Sequence, residues 1–419
     1  MQRKIVALLF STRLTAFLFL FFAVAMAVGT FLDQGYEKPP SPYARELIFN
    51  AWWFEAIMVF FMINFFGNIA RFKLYRKEKW ATLTLHLAFI LIILGAFITR
   101  YIGYEGVMHI REGATENTFL SDNTYVSTYI DGDYQVDGVF MRRNVPPKLV
   151  RLSEKLNPDF AWSTDYNGQN VDLRITGYFS NAKEGLVEDA TGDLYLKLVE
   201  SGDGSRHEHY LKSGSVTNIH NLLYAFNAPT PGAINFTYRE GLYFIESPFS
   251  GDYMRMADQQ KGTLLADSLQ TLEFRSLYQV GGTAFVIPDP ATRGKMDVVK
   301  APDGENTGRD AVRLEITTSD QSKHVTLLGG RGLNPAPKTI ELGGLSIGLT
   351  YGSRIYELPF SITLNDFIAD KYPGTQKAYS AFKSKVTIND SEAIFDYDIF
   401  MNHVLNHQGY RFFQASFDP

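Results

Sequence analysis

The chain opens with long apolar runs and continues with short alternating ones. Residues 14–32 give 19 positions without a charge, residues 47–70 give 24 interrupted only by Glu55, and residues 81–99 give 19, closed by Arg100. A helix needs about 20 apolar residues to cross roughly 30 Å of hydrocarbon, so each run reads as a membrane span. The first run ends in Gly29-Thr30-Phe31-Leu32-Asp33, a poor match to the small-residue signature of signal cleavage, and reads as a retained anchor. Arg3, Lys4 and Arg13 precede the first span, and Arg71, Lys73, Arg76, Lys77 and Lys79 follow the second. Lys38 and Arg45 between the first two spans stand beside Asp33, Glu37 and Glu46. Positive charge marks the cytoplasmic side, so the N-terminus and residues 71–80 are expected inside, with residues 33–46 and all that follows Arg100 outside. Trp52 and Trp53 at one interface and Trp80 at the other agree.

After Tyr104 the period changes to that of strands rich in Val, Ile, Thr, Tyr and Phe, punctuated by Gly, Asn and Asp. Residues 171–178, 193–199, 233–245, 311–317, 339–349, 382–388, 394–400 and 410–417 are the clearest strands. Residues 257–271 and 400–407 read as helices. Residues 289–309, rich in Pro, Gly and charge, read as an exposed loop that separates two lobes. The expected fold is therefore an integral membrane protein with a transmembrane region over 1–103. A large, mainly β extracytoplasmic domain of sandwich or barrel-like packing follows over 104–419.

Composition narrows the chemistry. A net charge of -5 gives no footprint for nucleic acid. With no cysteine, disulfides, zinc–thiolate sites and iron–sulfur clusters are excluded as properties of this chain. The β region must therefore cohere by burial alone, and its length permits that. No nucleophile elbow, phosphate loop or paired-carboxylate motif stands out, so no catalytic residue is assigned.

His86, in the run LTLHLAFI of the third span, is the most informative residue. An ionisable group in hydrocarbon is costly and faces protein more readily than lipid. A neutral imidazole is also a natural metal or haem ligand; the alternative is a ring merely hydrogen-bonded to a neighbouring helix. His86 lies six residues past Trp80, about 9 Å inside the interface at 1.5 Å per residue. Asn64 lies at a similar depth in the second span and is a candidate to orient the nitrogen that does not bind metal. The other reading is that Asn64 and Asn68 bridge helices. Gly95 falls on the face opposite His86 and reads as a packing contact. Glu55, next to the Trp pair, reads as a structural residue that reaches headgroups or pairs with Arg45 or Arg100, the other reading being a proton-handling group. His403 and His407 share one helix face if residues 400–407 are helical, and would then form a metal pair without a third ligand. His207-Glu208-His209 begins like H-E-x-x-H, but its second histidine comes too early. His109, His220 and His324 read as structural.

Several segments resemble the ResB/CcsB family of system II cytochrome c biogenesis proteins. They are MAVGTFLDQ, NAWWFE, MINFFGNIARF and LHLAFILIILGAFITRYIGYEGVMHIREG near the N-terminus, and TLNDFIADKYPGT and MNHVLNHQGYRFFQASF near the C-terminus. The resemblance runs from about Thr12 to Phe417. It implies a bacterial inner-membrane subunit of the system II cytochrome c synthase, or haem lyase, which is not autonomous. Such a subunit pairs with a CcsA-type membrane protein, helps carry haem b across the membrane, and presents it to the thiols of apocytochrome c. A thiol reductase of the same pathway is a further implied partner. The family's transmembrane histidine falls on His86, as one axial haem ligand, with the partner supplying the other. Similar proteins continue past the QASF segment into a further transmembrane helix. The alternative function is a membrane-anchored scaffold whose β domain binds a partner and never meets haem.

Overall fold

The computed structural model describes residues 2–33, 41–155, 160–201, 206–302, 305–319, 321–375 and 379–415. Glu37 and Lys38 of the first loop, and the end of the last aromatic run at Phe417, lie outside the described residues. Three helices are long and apolar enough to cross a membrane: Thr12–Leu32, Trp52–Arg71 and Lys77–Tyr101. A short amphipathic helix, Gln2–Leu9, precedes the first. Between the two, Ser11 caps the first span, its hydroxyl accepting from the Leu14 N–H at 3.2 Å. That cap satisfies a donor the helix itself leaves open. The three spans pack through few side chains, with Leu18, Ile57, Phe61, Phe65 and Ile90 at the centre. Most of their remaining surface is exposed and apolar, as a lipid-facing surface must be.

The chain beyond the spans is dominated by strands and divides into two compact units. One comprises Met1–Ala182 and Lys300–Pro419, spans included; the other is Lys183–Val299, inserted into the first. The first unit is framed by two long antiparallel strands, Thr115–Asp131 and Leu345–Lys371, paired from Thr115↔Thr363 to Asp131↔Ser346. The register shifts between Glu116 and Thr118 and again between Leu120 and Thr124. Such bulges bend a strand, and the first also accommodates Pro359, which cannot donate to a ladder. Their sheet has seven strands, and a four-stranded sheet accompanies it: Gln321–Gly329, Asp310–Thr318, Gln169–Phe179 and Ala161–Tyr166. Alternating residues of both sheets, among them Ile130, Val171, Leu173, Leu314, Ile316 and Ile347, build one core. A second core lies farther along the long strands, around Phe360, Ile362, Ile388 and Leu405.

The inserted unit has its own core, from Leu196 and Leu198 through Phe226, Phe236 and Ile245 to Tyr278 and Phe285. Its five-stranded sheet contains one parallel pair, Leu222–Phe226 with Ile234–Arg239.

Several expected elements differ in detail. Residues 289–309 are not all loop, because Thr292–Lys300 is a strand. The run 233–245 folds back on itself as Ile234–Arg239 and Leu242–Glu246, turning at Glu240 and Gly241, whose φ values are 49° and 84°. The run 339–349 likewise turns at Gly343 and Gly344. Residues 257–271 are not helical: they hold strands Lys261–Leu264 and Gln270–Thr271. The ring of Tyr253 lies against Gly262, so close that a Cβ there would stand 2.3 Å from its Cζ. Among the described residues, outside its own helix turn, nothing lies within 4 Å of where a Cβ on Gly95 would stand.

Two expectations test the inserted core. Phe285 is fully buried, stacks on Tyr278 at 5.3 Å and meets Tyr224 and Phe236 edge-on. Phe285→Ala should cost about 3–5 kcal/mol, read as a lower thermal midpoint of the strand signal in circular dichroism. Burial also pushes the Tyr224 phenol up from 10.0 to about 12, against an opposing hydrogen bond with Thr283. The folded state then holds a proton that the unfolded chain gives up. That stability is complete below pH 10.0 and is lost as pH rises through about 12. An alkaline titration by tyrosinate absorbance should show Tyr224 ionising only in that upper window.

Candidate functional site

The third span places His86 on its packed side. Leu83, His86, Phe89, Ile90 and Ile93 are its less exposed positions in this stretch, at helical spacing. The imidazole meets the Phe65 ring edge-on at 5.5 Å. Phe65 in turn stacks on Phe61 and Phe89, both at 5.5 Å. His86 therefore adjoins an aromatic ladder shared by the spans, on the side of the third span that faces protein.

The orientation of the ring is set within its own helix. Nδ1 lies 2.9 Å from the Thr82 carbonyl oxygen. A carbonyl can only accept, so Nδ1 carries the proton and donates it. In a neutral imidazole the other nitrogen, Nε2, is then left with its lone pair. No hydrogen bond engages Nε2 among the described residues. This is the tautomer in which a histidine binds metal, with the outer hydrogen bond holding the ring.

Asn64 does not play that part. It is fully buried, but its amide nitrogen donates to the carbonyls of Leu9 and Ser11 at 2.7 and 3.1 Å. Its oxygen accepts from Thr15 Oγ1 at 2.6 Å and Asn68 Nδ2 at 2.8 Å. Arg71 Nη1 donates to the carbonyl oxygens of Phe10 and Ala7 at 2.8 and 3.1 Å. The break between the short helix and the first span frees the carbonyls of Ala7, Leu9 and Phe10, whereas that of Ser11 also accepts from the Thr15 N–H at 3.2 Å. Asn64, Asn68 and Arg71 are thus the bridge between the N-terminal helices and the second span. The group that His86 Nδ1 meets is the Thr82 carbonyl, and the Asn64 amide is engaged elsewhere.

Glu55 pairs with Arg100 and accepts from the Tyr101 hydroxyl at 2.6 Å. This tie joins the second and third spans at their end nearer the strands. Arg45, in the segment between the first two spans, pairs instead with Asp122 at 3.5 Å, and Arg331 pairs with the same carboxylate.

His403 and His407 do not share a helix face. Residues 400–407 are not helical: Asn402 turns the chain at φ 61°, and Phe400 and His403 exchange backbone hydrogen bonds. His403 stacks between Phe400 and Tyr397, with Nδ1 at 2.6 Å from the Asp398 carbonyl oxygen. His407 points elsewhere, with Nε2 at 2.7 Å from Asp390 Oδ2. His209 and His220 both direct Nε2 at Oε1 of Glu200, at 3.2 and 3.1 Å, while His109 and His324 are exposed. Among the described residues no three His, Cys, Asp or Glu side chains are arranged to hold a metal ion.

The fold and this site define a membrane protein with three candidate spans, a large β region and one intramembrane imidazole whose Nε2 is open. Known proteins agree with that class. The ResB-like family matches residues 341–419. Over 403 residues the sequence is 24% identical to protein NrfI of Wolinella succinogenes, a match that covers 96% of this chain. The chain spans about 30% of the length of that relative. The chain is thus similar to ResB-like proteins over residues 341–419.

His403→Ala and His407→Ala should each leave the metal and haem content of the purified protein unchanged, measured by elemental analysis and pyridine haemochrome. A loss of bound metal in either variant would contradict the separate partners described for these rings.

Proposed function

We propose that the chain is a subunit of a cytochrome c biogenesis system that holds haem within the membrane at His86. A CcsA-type membrane protein completes the site, and the haem passes to apocytochrome c. The observation that carries this reading is the placement of the His86 ring: Nδ1 meets the Thr82 carbonyl oxygen at 2.9 Å, while Nε2 has no hydrogen bond among the described residues and is the nitrogen left for axial ligation. Half-burial against Phe65 gives the ring an apolar wall of the kind a porphyrin requires. The similarity to NrfI and to the ResB-like family supports the same pathway.

The chain's own contribution is positional. The Thr82 carbonyl holds the proton on Nδ1 and keeps the ring from turning. The aromatic ladder behind His86 excludes water. The chain has no cysteine, so the thiols that take up the vinyl groups belong to the acceptor, and a thiol reductase keeps them reduced. The β region lies on the side where the haem is delivered, outside the cytoplasm, and the protein resides in the bacterial inner membrane.

His86→Ala should lower the Soret absorbance of the chain purified with its CcsA-type partner several-fold, and added imidazole should restore it. A spectrum unchanged in shape and intensity would overturn the assignment and favour a scaffold that never touches haem.

A further inference from the structure

The sheet end that receives the third span is apolar on both faces. Tyr104, three residues beyond the helix end at Tyr101, lies 5.2 Å from the Tyr356 ring and 6.0 Å from the Phe119 ring. Phe119 and Tyr356 are cross-strand partners with ring centroids 5.4 Å apart. The hydroxyls of Tyr104 and Tyr410 meet at 3.2 Å, which ties the C-terminal hairpin to the same shelf. On the opposite face Val107, Leu120 and Ile355 stand side by side across three strands. Tyr104 is 54% exposed, Ile355 48% and Val107 36%. A sheet with one face in water alternates apolar and polar residues, and at this level the alternation fails.

Arg354 supplies the polar element. Its guanidinium lies over the Tyr356 ring, 5.0 Å from the centroid. Among the described residues no carboxylate pairs with it, whereas Arg45 and Arg331 share Asp122 and Arg151 reaches Glu46. An exposed guanidinium on an aromatic shelf suits the oxygens of a phosphate.

Chain continuity identifies the occupant. Three residues reach at most about 11 Å from the end of the span, which keeps Tyr104 within or beside the headgroup layer. Tyrosine prefers that layer. We propose that this sheet end rests in the headgroup layer of anionic phospholipid, with Tyr104, Phe119, Tyr356 and Ile355 among the interfacial apolar groups and Arg354 on lipid phosphate. The proposal rests on the membrane reading of the three spans and is independent of haem.

The cysteine-free sequence permits a direct test. The full chain, with single substitutions Ile355→Cys, Arg354→Cys or Ile102→Cys bearing a nitroxide, is reconstituted in nanodiscs of phosphatidylcholine and phosphatidylglycerol at about 3:1. Collision with oxygen is compared with collision with a water-soluble nickel chelate. Labels at 355 and 354 should favour oxygen, as the label at 102 does at the end of the span. Arg354→Glu should shift the label at 355 several-fold toward the chelate. Dominance of the chelate at both positions would place the sheet end in water and overturn the proposal. Exclusion of both reagents would mean that protein covers it, with the same consequence. An unchanged ratio in Arg354→Glu would remove Arg354 from any phosphate contact.

Discussion

Inside hydrocarbon every polar group must find its partner in protein, because water is absent and an unmet donor or acceptor costs several kcal/mol. Two solutions to that constraint organise the membrane part of this chain. At the break before the first span, Asn64 and Arg71 collect the carbonyls that the helix end releases. In the third span, the Thr82 carbonyl takes the proton of His86 Nδ1. The first solution engages both polar atoms of Asn64 and leaves Asn68 Oδ1 buried without a hydrogen bond among the described residues. The second satisfies only one side of an imidazole and leaves the other available.

Polar and aromatic contacts continue into the strand region. Glu55 and Arg100 join two spans where the third gives way to the sheet, and Asp122 receives Arg45 from the segment between the first two. The long strands Thr115–Asp131 and Leu345–Lys371 then carry the architecture of the first unit, with one core on Ile130 and Ile347 and another on Phe360 and Ile388. The inserted unit, Lys183–Val299, has a separate core and no cross-link. Burial alone holds each unit, as a cysteine-free chain of this size permits.

Much of this was legible in the sequence. Uncharged runs of spanning length point to the three helices because their surface meets lipid, and period-two alternation points to most strands because one face is buried. What failed were features set by chain reversal. The hairpins at Glu240–Gly241 and Gly343–Gly344 carried their signal in the turn residues themselves, Glu-Gly and Gly-Gly, whose positive φ reverses the chain between two apolar runs. The helical spacing of His403 and His407 misled because Asn402 turns the chain between strands. Depth in the bundle points from His86 to Asn64, whereas a carbonyl four residues back on the same helix lies within reach. Asn64 was committed elsewhere by a helix break that hydropathy does not register.

The central claim is that the imidazole of this chain, through Nε2, is bonded to haem iron. Pulsed electron paramagnetic resonance of the oxidised complex, with ¹⁵N-histidine incorporated only into this chain, reads that bond. The account predicts a strong ¹⁵N coupling to the iron that disappears in His86→Gln while the coupling from the partner's ligand persists. Haem present in the complex with no ¹⁵N coupling from this chain would contradict it.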